Sequence, residues 1–79
     1  MVDVANAATQ FGRKVRAARR ARDWTQEDLA AASGLAVVQI SRIERGVREV
    51  RLTTILKLLA ALDGPIEDLI DADLVAAVR

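Results

Sequence analysis

Thr25-Gln26-Glu27-Asp28-Leu29-Ala30, then Ser33-Gly34, then Ala36-Val37-Val38-Gln39-Ile40-Ser41-Arg42-Ile43-Glu44-Arg45-Gly46, is the stretch on which the fold turns. It opens with a helix start. Thr25 offers a hydroxyl to the N–H groups of a first turn, Asp28 three residues later gives an approximate capping box, and Glu27 complements the positive end of the helix dipole. Leu29 and Ala30 point inward. Ser33-Gly34 stops the helix, the glycine suiting a left-handed position that other residues tolerate poorly. A second helix is predicted from about Ala36 to Arg45, with Ile40 and Ile43 as its inner stripe and Gly46 as its stop.

Outward from this core the same helical period continues. Residues from about Thr9 to Arg22 place Phe11, Val15 and Ala18 on one face, and Arg13, Lys14, Arg16, Arg20 and Arg22 on the others, with Asp23 as the end. The loop from Gly46 to Arg51 is basic on balance, Arg48 and Arg51 against Glu49. A fourth helix opens near Thr53 and buries Ile55, Leu58, Leu59 and Leu62. Asp63-Gly64-Pro65 reads as a turn, with Pro65 suited to the first turn of a short fifth helix holding Ile66, Leu69 and Ile70. The tail 71–79 keeps Leu74, Val75 and Val78 on an apolar strip and either continues that helix or frays. Nothing alternates long enough to read as a strand, so the fold class is all-α, five helices. Residues 1–8 are read as an N-terminal extension open to disorder, 9–70 as the folded domain and 71–79 as its tail.

With 79 residues there is room for one domain and a modest core. Cysteine and histidine are both absent, which excludes disulfides, zinc fingers and thiol or imidazole chemistry. No apolar run approaches the roughly 20 residues that span a bilayer. Met1-Val2-Asp3-Val4 lacks the basic start of a signal peptide, so a soluble cytoplasmic chain is expected. The net charge of +1 conceals an asymmetry: eleven Lys and Arg face six Asp and Glu over residues 1–57, against one and five over 58–79. A basic body with an acidic end points to a polyanionic partner for one face.

Two short helices joined by a glycine-containing turn form a helix-turn-helix. The spacing of Gln26, the small Ala30, Gly34, Ile40 and Ile43 is specific: Ala30 admits a helix crossing close above it, and the isoleucines anchor that helix so that its other face projects. Together with Phe11–Arg22 before them and the residues to about Ile70 after them, Thr25–Ala30, Ser33-Gly34 and Gln39–Gly46 resemble the lambda-repressor-like, or Xre-type, DNA-binding family. The resemblance implies a compact five-helix domain whose third helix, 36–45, enters the major groove of double-stranded DNA. It implies a partly buried ion pair between Arg19 and Glu44, where the alternative is that Arg19 is one more surface cation. Trp24, the sole tryptophan, is expected to pack between the first two helices.

Carried over by position, the base-reading residues are Val37, Val38 and Arg42, with Gln39 beside them. Arg42 can bond guanine bidentately or contact a phosphate, and Gln39 can bond adenine or a phosphate. The chain departs from the family pattern at Ala36-Val37-Val38, where a Ser or Thr cap and polar residues are usual. Outward valines can pack on thymine methyl groups or serve a protein contact. Phosphate contacts are expected from Thr25 and Gln26 at the start of the second helix, where free N–H groups favour an anion. Ser41, Arg45, Arg48 and Arg51 are the further phosphate candidates. Arg13, Lys14 and Arg20 read as a solvated face, as do Glu67, Asp68, Asp71 and Asp73, whose spacing fits no cation loop.

One reading helix makes a small interface, so a homodimer on two half-sites is expected, with Ile66, Leu69, Ile70 and Leu74 as its contact. The leading function is a homodimeric transcriptional regulator, a repressor or an activator. The alternative is an antitoxin or other protein-binding module that binds a partner protein and regulates its own promoter. No nucleophile–base pair, metal cluster or phosphate loop supports an enzyme, and neither cofactor nor metal is expected.

Overall fold

A computed structural model describes residues 4–79, and among these every regular element is helical. The order is α1 (Val4–Ala21), α2 (Gln26–Ser33), α3 (Val37–Glu44), α4 (Leu52–Leu62), a 3₁₀ turn (Ile66–Asp68) and α5 (Ala72–Ala76). Met1, Val2 and Asp3, part of the expected extension, lie outside the described residues. Residues 4–8 do not form an extension: they are the first turns of α1, and Ala8 is buried. The buried stripe therefore runs Ala8, Phe11, Val15, Ala18, spaced three, four and three residues, which is one face of a helix. An alanine adds too little apolar weight to a sequence pattern to reveal that the stripe begins before Phe11.

The caps decide where α2 stands. Thr25 Oγ1 accepts from the Asp28 N–H at 3.0 Å, and the Asp28 carboxylate accepts from the Thr25 N–H at 2.8 Å, so the capping box is complete. Gly34 closes the helix at φ 75°, its N–H donating to the Ala30 carbonyl at 2.9 Å. That left-handed turn swings the chain so that Leu35 is buried and α3 starts across α2. Ile40 and Ile43 then join Phe11, Val15, Leu29, Leu58 and Leu62 in one contiguous core, with Trp24 partly buried against it.

Gly12 sets how closely α1 meets α3. A Cβ there would collide with the Ile43 carbonyl oxygen and stand 2.8 Å from that of Glu44. Glycine inside a helix costs about 0.5–1 kcal/mol relative to alanine. The cost is accepted because the end of α3 rests directly on the α1 backbone.

The C-terminal region differs from expectation. Instead of a fifth helix over Ile66–Ile70 there is a single 3₁₀ turn, because Pro65 and its neighbours tighten the chain while Leu69 is driven fully into the core. The tail neither continues that turn nor frays. It forms α5, capped by Asp71, whose carboxylate accepts from the Leu74 N–H at 2.9 Å. Asp71 also pairs with Lys14, tying α5 to α1. Hydrogen bonds from Lys14 and from the Leu74 N–H hold the Asp71 carboxyl below its ordinary pKa. Lys14 and Asp71 are therefore partners and not members of two solvated faces.

Candidate nucleic-acid interface

A reading helix works only if its inner face is fixed and its outer face is free. Glu44, on the inner side at the end of α3, is 8% exposed and carries the fixing contacts. Its two carboxylate oxygens accept from Arg19 of α1 in a fork, Nε at 2.7 Å and Nη2 at 2.9 Å. Gln26 at the start of α2 adds Nε2 at 3.2 Å, and Arg16 Nε stands 3.7 Å away. The third guanidinium nitrogen, Arg19 Nη1, donates to the Trp24 carbonyl at 2.8 Å. One carboxylate thus gathers α1, the start of α2, and α3. Burial alone would raise the Glu44 pKa, but the hydrogen bonds from Arg19 and Gln26 and the charges of Arg19 and Arg16 outweigh it, and the net shift is downward. The same hydrogen bond to Glu44 raises the Arg19 pKa against its own desolvation.

A second arginine holds helix ends together in a way no sequence pattern announces. Arg22, just past α1, donates from Nε at 2.9 Å and Nη2 at 2.5 Å to the Leu62 carbonyl at the end of α4, and from Nη1 at 2.7 Å to the Ala18 carbonyl. It closes the C-terminal ends of two helices at once, where carbonyls lack intrahelical partners. Its principal partner lies 40 residues away, so local reading sees only one more cation in a basic helix.

On the outer face the candidates separate. Val37, Val38, Gln39 and Arg42 are all exposed, whereas Ser41 is half-buried. Arg45 is exposed, with Nε folded back on the Ser41 carbonyl at 3.3 Å. Gln39 is occupied structurally. Its Oε1 accepts from the Ala36 N–H at 3.0 Å, closing half of a capping box at a residue with no side-chain acceptor. Bidentate bonding to adenine uses both amide atoms, so Gln39 would share Oε1 between the Ala36 N–H and the base, while its Nε2 is left to donate. Gln26 donates one amide hydrogen to Glu44 and Thr25 accepts within its box, so the Thr25 O–H, the second Gln26 amide hydrogen and the first-turn N–H groups of Gln26 and Glu27 are left for an anion.

Arg48 and Arg51 stand exposed beside the exit of α3. With Arg42, Thr54 and one carboxylate, that of Glu49, they line a cleft of about 420 Å³ between the end of α3 and the start of α4. Among the described residues, none of Arg42, Arg48 and Arg51 has an ion-pair partner. Three unpaired guanidinium groups around one cleft are suited to phosphate oxygens and to guanine edges.

The residues expected at a subunit contact do not share one environment. Leu69 is fully buried in the core and is not available to a second chain. It faces inward because the 3₁₀ turn rotates it relative to a continuous helix. Ile66 is 53% exposed, while Ile70 and Leu74 are half-buried against the core. Leu52 and Leu56 of α4, exposed at 70% and 53%, escape a sequence reading because leucines in an apolar helix read as core.

Comparison with known proteins places this geometry. Residues 15–69 match the helix-turn-helix family profile. The chain is similar to the restriction-modification controller protein C.AhdI of Aeromonas hydrophila: the structures superpose with a TM-score of 0.75 at 41% identity, covering 80% of this chain and 96% of that one. It is 47% identical over 60 residues to the HTH-type transcriptional repressor RghR of Bacillus subtilis, covering 75% of this chain and 44% of that protein. An uncharacterized HTH-type transcriptional regulator of Mycobacterium tuberculosis is 41% identical over 54 residues, 68% of this chain and 21% of its own length. The chain therefore spans less than half of these two regulators. The matched segment contains the box at Thr25, the turn at Gly34 and the anchored α3: this chain belongs to the lambda-repressor-like helix-turn-helix family of transcriptional regulators, a family of DNA-binding proteins and not of enzymes.

Proposed function

We propose that this chain is a sequence-specific transcriptional regulator that binds operator DNA as a homodimer in the cytoplasm, with α3 in the major groove. The observation that carries the reading is the division of α3. Its inner face is locked by Ile40, Ile43 and the Arg19–Glu44 fork, while Val37, Val38 and Arg42 project beside the unpaired Arg48 and Arg51. Arg42 bonds a guanine edge, and Arg45, Arg48, Arg51, Ser41 and the start of α2 hold phosphates. The likeness to a protein named as a repressor supports repression as the mode of action.

Dimerisation supplies the second half-site. Ile66, Ile70 and Leu74 remain its contact residues, joined by Leu52 and Leu56, whose exposed side chains a partner would cover. The acidic C-terminal end keeps that contact off the DNA.

The test is selection of a binding site from a randomised duplex pool, followed by titration of the selected duplex across a salt series. Affinity should fall steeply and linearly on a log–log plot. Arg48→Ala should weaken all duplexes alike and reduce the slope by about 1, whereas Arg42→Ala should relax preference at one base position per half-site. A pool that yields no preferred sequence at any salt concentration defeats the reading.

A further inference from the structure

The reading face of α3 begins with side chains that cannot hydrogen-bond. Val37 is 39% exposed and Val38 52% exposed, and neither belongs to the core, which takes Ile40 and Ile43 from the same helix. Ala36 before them offers only a methyl group and is also exposed. The Gln39 Oε1 after them is turned back onto the Ala36 N–H at 3.0 Å. The surface formed by Ala36, Val37 and Val38 is therefore aliphatic, with the Gln39 amide at its edge, and the first charged group on this face is Arg42.

In the major groove the one sizeable apolar group on a base edge is the C5-methyl group of thymine; cytosine offers only a C5–H in its place, and the other groups are donors or acceptors. A valine pressed against a cytosine amine or a guanine carbonyl strips its water and returns no hydrogen bond. Against a methyl group it loses nothing and buries apolar surface. We infer that Val37 and Val38 are specificity-determining residues that read pyrimidine C5-methyl groups. The chain thus separates thymine from uracil, and 5-methylcytosine from cytosine, at the base positions facing the first turn of α3. The inference rests on the proposed placement of α3 in the groove and names the chemical feature read there. Methylation of a cytosine at such a position strengthens binding. The affinity stays below that for thymine, since 5-methylcytosine keeps its amine.

The experiment uses the full chain and a duplex selected from a randomised pool. Each thymine is replaced singly by 2′-deoxyuridine, which deletes the methyl group and leaves base pairing intact. At the thymines facing the two valines, affinity should fall about fourfold per methyl removed, the value of one buried methylene expressed as binding. Thymines elsewhere should tolerate the change. Replacing such a T·A pair by C·G should weaken binding further, and 5-methylcytosine in place of that cytosine should recover part of the loss. The double variant Val37→Ser/Val38→Ser, exposed at both positions and checked for an unchanged circular dichroism spectrum, should bind thymine and uracil duplexes equally. Equal affinity of the unaltered chain for both duplexes at every position overturns the inference and leaves DNA binding standing. So does a double variant that still discriminates. A pool that yields no site overturns the proposed function, and the inference with it.

Discussion

The two helices of the helix-turn-helix begin in opposite ways. α2 starts on a complete capping box, Thr25 with Asp28, both bonds at or under 3.0 Å. α3 starts on Ala36, already in the extended cap conformation at φ −73° and ψ 149°, with no side chain to close it. Only Gln39, reaching back from inside the helix, satisfies the Ala36 N–H. The supporting helix is thus secured by local chemistry at its own start. α3 is secured chiefly from its far end, through Glu44 and the core, with Val37 and Val38 left exposed near its start. Local caps and tertiary anchors are interchangeable ways to hold a short helix. Only the second leaves the two residues after the cap, Val37 and Val38, exposed with no polar side chain of their own.

Removing the anchor should have the largest effect. Arg19→Ala strands the buried Glu44 carboxylate, and such a loss costs about 3–5 kcal/mol. Urea melts should show it, while Arg19→Met/Glu44→Leu together should recover most of the stability if packing, and not charge, suffices to hold the end of α3. The anchor also carries a pH signature. The folded-state pKa of Glu44 is lowered, so its contribution is complete above the unfolded value of about 4.3 and is lost as pH falls through the folded value. Asp71, lowered by Lys14 and by the Leu74 N–H, acts in the same direction. Glu44→Gln should flatten this acid limb, and an unchanged limb would move its origin to Asp71 or elsewhere.

Arg22→Ala should rank next. It removes three charge-assisted bonds and leaves helix-end carbonyls short of partners, at about 1–3 kcal/mol. Arg22→Lys should recover little of it, because an ammonium cannot span both helix ends as the planar fork does. Thr25→Ala breaks the α2 box and should cost about 1 kcal/mol. The smallest change runs the other way. Ala36→Ser gives α3 the cap it lacks and should raise stability by about 0.5–1 kcal/mol. If thermal melts show no gain, the bond from Gln39 already satisfies the start of α3.

Much of this architecture is legible in the order of residues. Thr25, Asp28 and Gly34 act within a few residues of one another, and Ile40 and Ile43 follow the helical period, so their roles are written locally. The same logic fails wherever a partner lies far along the chain. Lys14 reads as solvated because Asp71 is 57 residues away, and Arg22 reads as ordinary because Leu62 is 40 away. It also fails where apolar residues must be sorted between core and surface. Leu69, expected at a subunit contact, is fully buried, while Leu52 is 70% exposed.

By itself the sequence determined that there are helices, where the central two start and stop, and which of their residues turn inward. Caps, glycine turns and periodicity act over three to seven residues and need no knowledge of the rest of the chain. The Arg19–Glu44 pair stands between these cases, expected from resemblance alone. Only the tertiary structure decided that the pair is a bidentate fork shared with Gln26 and that Gly12 lets α1 lie against the end of α3. It alone turned Leu69 in and left Leu52 out. Burial and long-range pairing depend on how whole helices cross, and a crossing angle is set by side-chain volumes and charges brought together from all along the chain.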